Sequence, residues 1–283
     1  MSAPGVGRST ARRSMGIAAS ALLIGAFALQ FAERAVARPS PVLEEVSHDP
    51  FTNRGYEHRS EVEPDVVVHG RTAVATYQVG RAAEGGSVAI GVVSSSDDGR
   101  SWSDRIVPGS AAAVGGQYER ASDPSVSYGA GGNAWLVGFL GLTLTGPYDI
   151  PSHTAVLVAR SGDGRSFTAP VVVARAPRGV VFDKPWVACD EHRSSPFFGR
   201  CYALWDELGL RRGPYGLVLA STSRDGGLHW SAPVRTTDRS KGTGVIPLVR
   251  PDGSVTVALG PWEIRTIRIQ PSAPPSPGSA GRG

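Results

Sequence analysis

The chain has 283 residues, 41% of them hydrophobic and 19% charged, with a formal net charge of +4, so a sizeable core can be buried. Much of that positive charge sits at the start. Removing residues 1–37 takes away four arginines and one glutamate and leaves about +1, which gives no support for nucleic-acid binding, since that needs a basic patch on the folded domain.

Arg8, Arg12 and Arg13 precede an apolar run from Gly16 to Ala32, and Ala35-Val36-Ala37 follows as a small-x-small site. This pattern predicts a secretory signal peptide over 1–37, cut after Ala37, and therefore a secreted, extracellular protein. The run is shorter than the ~20 residues of a spanning helix, so no stable membrane span is expected after cleavage. Arg12-Arg13 leaves Sec and Tat export both open. Residues 38–59 read as an N-terminal segment, 60–270 as one repeating domain, and 271–283 as a disordered Pro/Gly/Ser tail, since PSAPPSPGSAGRG cannot bury a core.

Two markers repeat within 60–270. The first is Ser-x-Asp-x-Gly-x-x-Trp, present as Ser95, Asp97, Gly99 and Trp102 and again as Ser223, Asp225, Gly227 and Trp230. Between them lies RSGDGRSF, where Gly164 and Phe167 keep the glycine and the aromatic, while Arg160 and Gly162 occupy the serine and aspartate positions. The three glycines are 65 and 63 residues apart. The second marker is a proline before a short apolar run, at Pro64, Pro124, Pro185 and Pro247, spaced 60, 61 and 62 residues apart. Repeats of this length decide the architecture. Each reads as four short β-rich runs split by Gly, Asn, Pro and Asp, as in PSVSYG, AWLVGFL, TAVLVAR and APVVVA. Four antiparallel strands at a fixed period predict an all-β fold, a β-propeller. In the marker itself, Asp accepts nearby backbone N–H groups, Gly supplies a positive φ, and the aromatic covers the turn.

These turns resemble the Asp boxes (BNR repeats) of the sialidase-like superfamily. The runs EPDVVV and SDPSVSY, and the stretch FDKPWVACDEHRSSPFFGRCYALWDE, are similar to a secreted bacterial exo-alpha-sialidase-like branch, over roughly residues 56–262. The resemblance implies a six-bladed parent. The chain holds about three and a half blades: GVIPLV, SVTVALG and EIRTIRI offer three strands of a fourth. It reads either as a C-terminally truncated member or as a four-bladed ring that borrows a strand from around Pro41–Val46.

Cys189 and Cys201 are the only cysteines. They fall on adjacent antiparallel strands of an exported chain, and facing positions on such a pair lie within disulfide range, so they are expected to be bonded. No further ligands stand at zinc spacing, and neither metal nor cofactor is expected.

In a propeller the turns between strands three and four lie opposite the ligand funnel, which gives the Asp boxes a structural role. The funnel is lined by loops entering each inner strand, here carrying Glu61, Glu63, Glu119, Arg120, Asp123, Asp183 and Lys184, and by loops joining strands two and three, with Arg81, Asp206, Glu207, Arg211 and Arg212. Carboxylates and guanidinium groups on one funnel suit a polar or anionic sugar. An active sialidase, by resemblance, needs an arginine triad, a Tyr–Glu nucleophile pair and an acidic residue. The Arg-Ile-Pro segment of the family has no match in FTNRGYEHRSEVEP, although Arg54 and Arg59 stand there. Adjacent Tyr118 and Glu119 point to opposite strand faces and cannot form the pair. The sequence therefore reads as a non-catalytic propeller binding glycans or a cell-surface protein, or a degenerate copy, with a sialidase-like glycoside hydrolase as the alternative.

Overall fold

The computed structural model describes residues 43–144, 151–209, 216–236, 241–259 and 263–269. The chain divides into two units, 1–45 and 46–283, and the elements below belong to the second. The signal segment 1–37, the tail 271–283, Arg211 and Arg212 lie outside the described residues.

The second unit is all-β and forms a partial propeller of antiparallel sheets. Strands β1 (Tyr56–His69), β2 (Thr72–Ala82), β3 (Ser87–Ser95) and β4 (Ser103–Ile106) make the first blade. The second comprises β5 (Arg120–Gly129), β6 (Ala134–Leu144), β7 (Pro151–Ser161) and β8 (Val171–Arg175), and the third β9 (Val180–Cys189), β10 (Cys201–Gly209), β11 (Leu217–Ser223) and β12 (Val234–Arg235). A fourth sheet holds β13 (Ile246–Val249), β14 (Val255–Leu259) and β15 (Glu263–Ile269). Pairing of Ser87 with Ala121 joins the first two blades into one eight-stranded sheet.

Sequence explains which strands are central. In β3 every residue of SVAIGVVSS is buried, because blade two covers one face and the segment with Val46 and Phe51 packs on the other. Three apolar clusters fill the gaps between successive sheets. Val74, Trp135 and Phe139 belong to the first, Leu136, Val187 and Trp205 to the second, and Tyr202, Leu204 and Val257 to the third. Burying a side chain of this size stabilises by about 2 kcal/mol. Successive inner strands are also tied by polar bonds: Asp65 accepts the Val126 N–H at 2.8 Å, and Ser125 and Ser127 accept those of Val187 and Cys189 at 3.1 and 3.0 Å.

Small residues set the spacing of the blades. A Cβ on Gly131 would stand 2.3 Å from the Gly199 Cα, and one on Gly138 would stand 2.5 Å from a Val187 methyl. Cys189 and Cys201 are direct partners in the β9–β10 ladder and form the expected disulfide, with Cα atoms 3.9 Å apart. Gly129 of the preceding blade packs on its two sulfurs.

Blade one differs on its outer face. Two and four residues after their prolines, Val126 and Tyr128 in β5 are buried at 2% and 8% exposure, whereas Val66 and Val68 in β1 are 58% and 67% exposed. Val46 and Phe51 cover the more peripheral part of that face, around Tyr77, Val79 and Val93.

Candidate functional site

The serine–aspartate turns lie at one end of the blades. In the first, Asp97 Oδ1 accepts the Ser95 hydroxyl at 2.8 Å and the N–H groups of Arg100 and Ser101 at 3.0 and 2.9 Å. Ser95 Oγ in turn accepts the Gly99 N–H at 2.9 Å. The third turn repeats this through Ser223, Asp225, Gly227 and His229. These bonds favour the ionised form, so the Asp225 carboxyl is held down at about 2 and the Asp97 carboxyl well below its ordinary range.

The middle turn corrects the sequence reading. Ser161 and Asp163, not Arg160 and Gly162, carry the serine and aspartate roles: Asp163 accepts the Ser161 hydroxyl at 2.7 Å and the Arg165 and Ser166 N–H groups at 2.8 Å each. Ser161 Oγ accepts the Gly164 N–H at 2.9 Å, and the Asp163 carboxyl is held at about 2. The copy is therefore intact but one residue shorter between aspartate and glycine, which a fixed-spacing motif misses. Arg160 is a clasp instead, donating to the carbonyls of Gly226 at 3.0 Å and Gly132 at 3.4 Å.

A different device occupies the inner strands towards the opposite end. Before each of the first three prolines the backbone enters the left-handed region, with φ of 53° at Glu63, 50° at Asp123 and 45° at Lys184. At each point two residues oppose one on the neighbouring strand: Glu63-Pro64 face Tyr77, Asp123-Pro124 face Phe139, and Lys184-Pro185 face Trp205. These are β-bulges, and proline fits there because it has no N–H to withhold from the ladder. Bulges re-aim side chains, and here they turn three charged residues towards one another. Lys184 Nζ donates to Glu63 at 3.2 Å and also bonds Asp123. Buried Gln78 donates to Glu63 at 2.5 Å and accepts from Arg81 at 2.8 Å, extending the chain of contacts.

Two cavities meet at these bulges. One, of about 310 Å³, is walled by the three prolines, Trp186 and Ile246, with Glu63, Asp65, Asp123 and Lys184 as its charged groups. The other, of about 210 Å³, adds Arg81, Glu84, Asp183 and Phe182. Burial pushes the Asp123 carboxyl up to about 7, and the Glu63 charge adds to this against the pull of Lys184. Burial also acts to raise Glu63, but its hydrogen bond with Asp123 and the Lys184 charge outweigh it and hold Glu63 below its ordinary value. For Lys184, burial is overcome by the charges of Asp123 and Glu63, which keep it protonated.

Asp206 stands opposite Asp183 in the β9–β10 ladder and is fully buried. Its Oδ2 accepts the N–H of Gly244 in the cavity wall at 2.8 Å, while Oδ1 has no partner. Burial, with Asp183 and Asp123 nearby, raises it to about 7.

Of the candidate residues, the structure thus brings Glu63, Asp123, Lys184, Arg81, Asp183 and Asp206 to the axis. It does not bring the others. Glu119 accepts the Leu144 N–H at 3.1 Å, Arg120 pairs with Glu84 at 3.2 Å, Glu207 pairs with Arg235 of β12 at 2.9 Å, and Glu61 accepts the Ser47 hydroxyl. Gln78, Asp65 and Trp186 were not singled out by sequence. The last two directly follow Pro64 and Pro185, so the proline marker itself was the available signal. Among the described residues no group of three or more His, Cys, Asp and Glu is placed to hold a metal ion, and no helix is long and apolar enough to cross a membrane.

The geometry matches solved propellers. The "Hadza microbial sialidase Hz136" superposes with a TM-score of 0.50 at 17% identity, over 75% of this chain and 47% of its own. A mutant of Trypanosoma rangeli sialidase displaying trans-sialidase activity gives 0.50 at 18% identity, over 75% and 37%. The fold is that of a sialidase-like propeller. The chain spans less than half the length of either structure. No protein-family model matches the sequence, and no curated protein matches it.

Proposed function

We propose that the protein is a secreted, glycan-binding sialidase-like propeller without hydrolytic activity, and that its serine–aspartate turns are Asp boxes of the BNR type with a structural role. One observation carries the non-catalytic reading: Glu63 and Asp123 are both bonded to the same Lys184 ammonium. Glycosidic cleavage needs two carboxyl groups flanking the bond, about 5 Å apart for retention and more for inversion. A pair clamped on one ammonium has that lysine where the sugar carbon or the water would have to stand. The same groups serve binding well. An apolar wall with Trp186 beside fixed donors and acceptors is the usual make-up of a small-molecule site, and about 310 Å³ accommodates one sugar ring.

Titration of the purified chain with a panel of mono- and disaccharides by calorimetry tests the reading. Binding that is weakened at least tenfold by Trp186→Ala is the expected result, and absence of binding to every sugar sinks it. One observation favours hydrolysis instead. An Asp123 carboxyl near 7 is protonated enough at neutral pH to act as a general acid. Release of fluorophore from aryl glycosides, lost in Asp123→Asn, would select that reading.

A further inference from the structure

Resting on the glycan-binding reading, we infer that the axial cavities select a cationic sugar, one carrying a protonated amine, over acidic or neutral sugars. The charge around the two cavities is lopsided. Glu63, Asp65, Asp123 and Asp183 face only Lys184 and Arg81, since Glu84 is already matched by Arg120.

Lys184 is not available to hold an acidic ligand. Lys184 is shared between Glu63 and Asp123, and Arg81 donates to Gln78. Asp183 is the contrary case. It lines the smaller cavity and has no hydrogen-bond or ion-pair partner among the described residues. Directly across the ladder from it, Asp206 is 0% exposed and keeps one carboxyl oxygen without a partner among the described residues.

An ammonium group supplies what this arrangement lacks: three donors and a positive charge. A sugar carboxylate would bring a further anion into a partly desolvated acidic cleft whose lysine is already held by two acids. Leu140, Leu142 and Phe182 line the smaller cavity together with Asp183, so the ring of an amino sugar can lie against them while its amine reaches Asp183.

The test titrates the full chain at pH 7.5, above the raised Asp123 value, with three probes: a glucosamine disaccharide, its N-acetylated counterpart and sialyllactose. Ethylamine serves as a charge-only control. The expected result is at least tenfold tighter binding of the free amine than of the acetylated sugar, with sialyllactose weakest and ethylamine weaker than the amino sugar. Asp183→Asn, which breaks no side-chain bond among the described residues, should abolish the preference for the free amine. Equal affinity for amine and acetylated probes, tighter sialyllactose binding, ethylamine binding as tightly as the disaccharide, or an undiminished preference in Asp183→Asn would each overturn the inference. In all four cases binding of any sugar leaves the glycan-binding reading standing, whereas silence towards all three sugars removes both.

Discussion

The two ends of the propeller use the same repeat in opposite ways. At the turn end the same chemistry recurs three times: a serine hydroxyl, an aspartate and two or three backbone N–H groups closing on one another. At the axial end the backbone recurs but the residue does not, since the left-handed position is Glu63, then Asp123, then Lys184. Repetition of residue with backbone marks a part that each blade needs for itself. Repetition of backbone alone marks a part in which the blades contribute different groups to one shared site. The electrostatics divide in the same way. Solvated turn aspartates are held below their usual range, while the buried axial aspartates Asp123 and Asp206 are pushed up to about 7.

Removing Lys184 is the strongest way to break this contrast. Lys184→Met leaves Glu63 and Asp123 facing each other without a cation. The expected loss is about 2 kcal/mol at pH 8, less than the 3–5 kcal/mol of a fully buried pair because the lysine side chain is 40% exposed. Urea unfolding measures it, and a change within 0.3 kcal/mol (about the error of such data) would mean that the triad does not cohere. The next largest effect is at the turn end. Asp163→Ala strips an acceptor from the Arg165 and Ser166 N–H groups and should cost about 1 kcal/mol, as loss of a capping residue does. Arg160→Ala or Gly162→Ala, at the positions the sequence motif assigned, should not reproduce the loss of those two bonds.

The pH dependence sharpens the contrast through its sign. Asp123 and Asp206 have raised pKa values, so the stability they contribute is complete below their unfolded value of about 3.9 and is lost as pH rises towards 7. The turn aspartates have lowered values, so their contribution is present above about 3.9 and is lost as pH falls towards 2. Thermal unfolding should therefore be most resistant in mildly acidic solution. The decline from pH 5 to 8 should be shallower in Asp206→Asn, and an unchanged slope would remove Asp206 from the account. The smallest expected effect is Asp98→Gly. Asp98 has a φ of 62° but only exposed ion pairs with Arg71 and Arg100, so relief of the backbone and loss of the pairs should cancel to within about 0.5 kcal/mol.

The sequence carried the blade pattern because turn glycines, prolines and period-two apolar runs are local signals, and it carried the disulfide because strand pairing follows from that pattern. The middle turn was misread for a physical reason. Its bonds depend on which atoms meet, and Ser161 with Asp163 meet them with one residue fewer than the motif allows. The site was half legible. Glu63, Asp123 and Asp183 stood beside the prolines, but the bulge that turns Lys184 onto two acids depends on the pairing register, which no single repeat displays. Glu119, Arg120 and Glu207 had suitable chemistry and loop positions. The structure commits each to a neighbour outside the cluster of Glu63, Asp123 and Lys184, and a list of charged loop residues cannot reveal such pairings.

The Ser87–Ala121 bridge has a kinetic consequence. Because the Ser87–Ala121 pair joins β3 to β5, blades one and two are linked edge to edge at that point, while blade three is a separate sheet stapled by its own disulfide. Partial opening of the molecule should follow that division, with the first two blades exchanging amide hydrogens together and the third as a distinct cooperative unit.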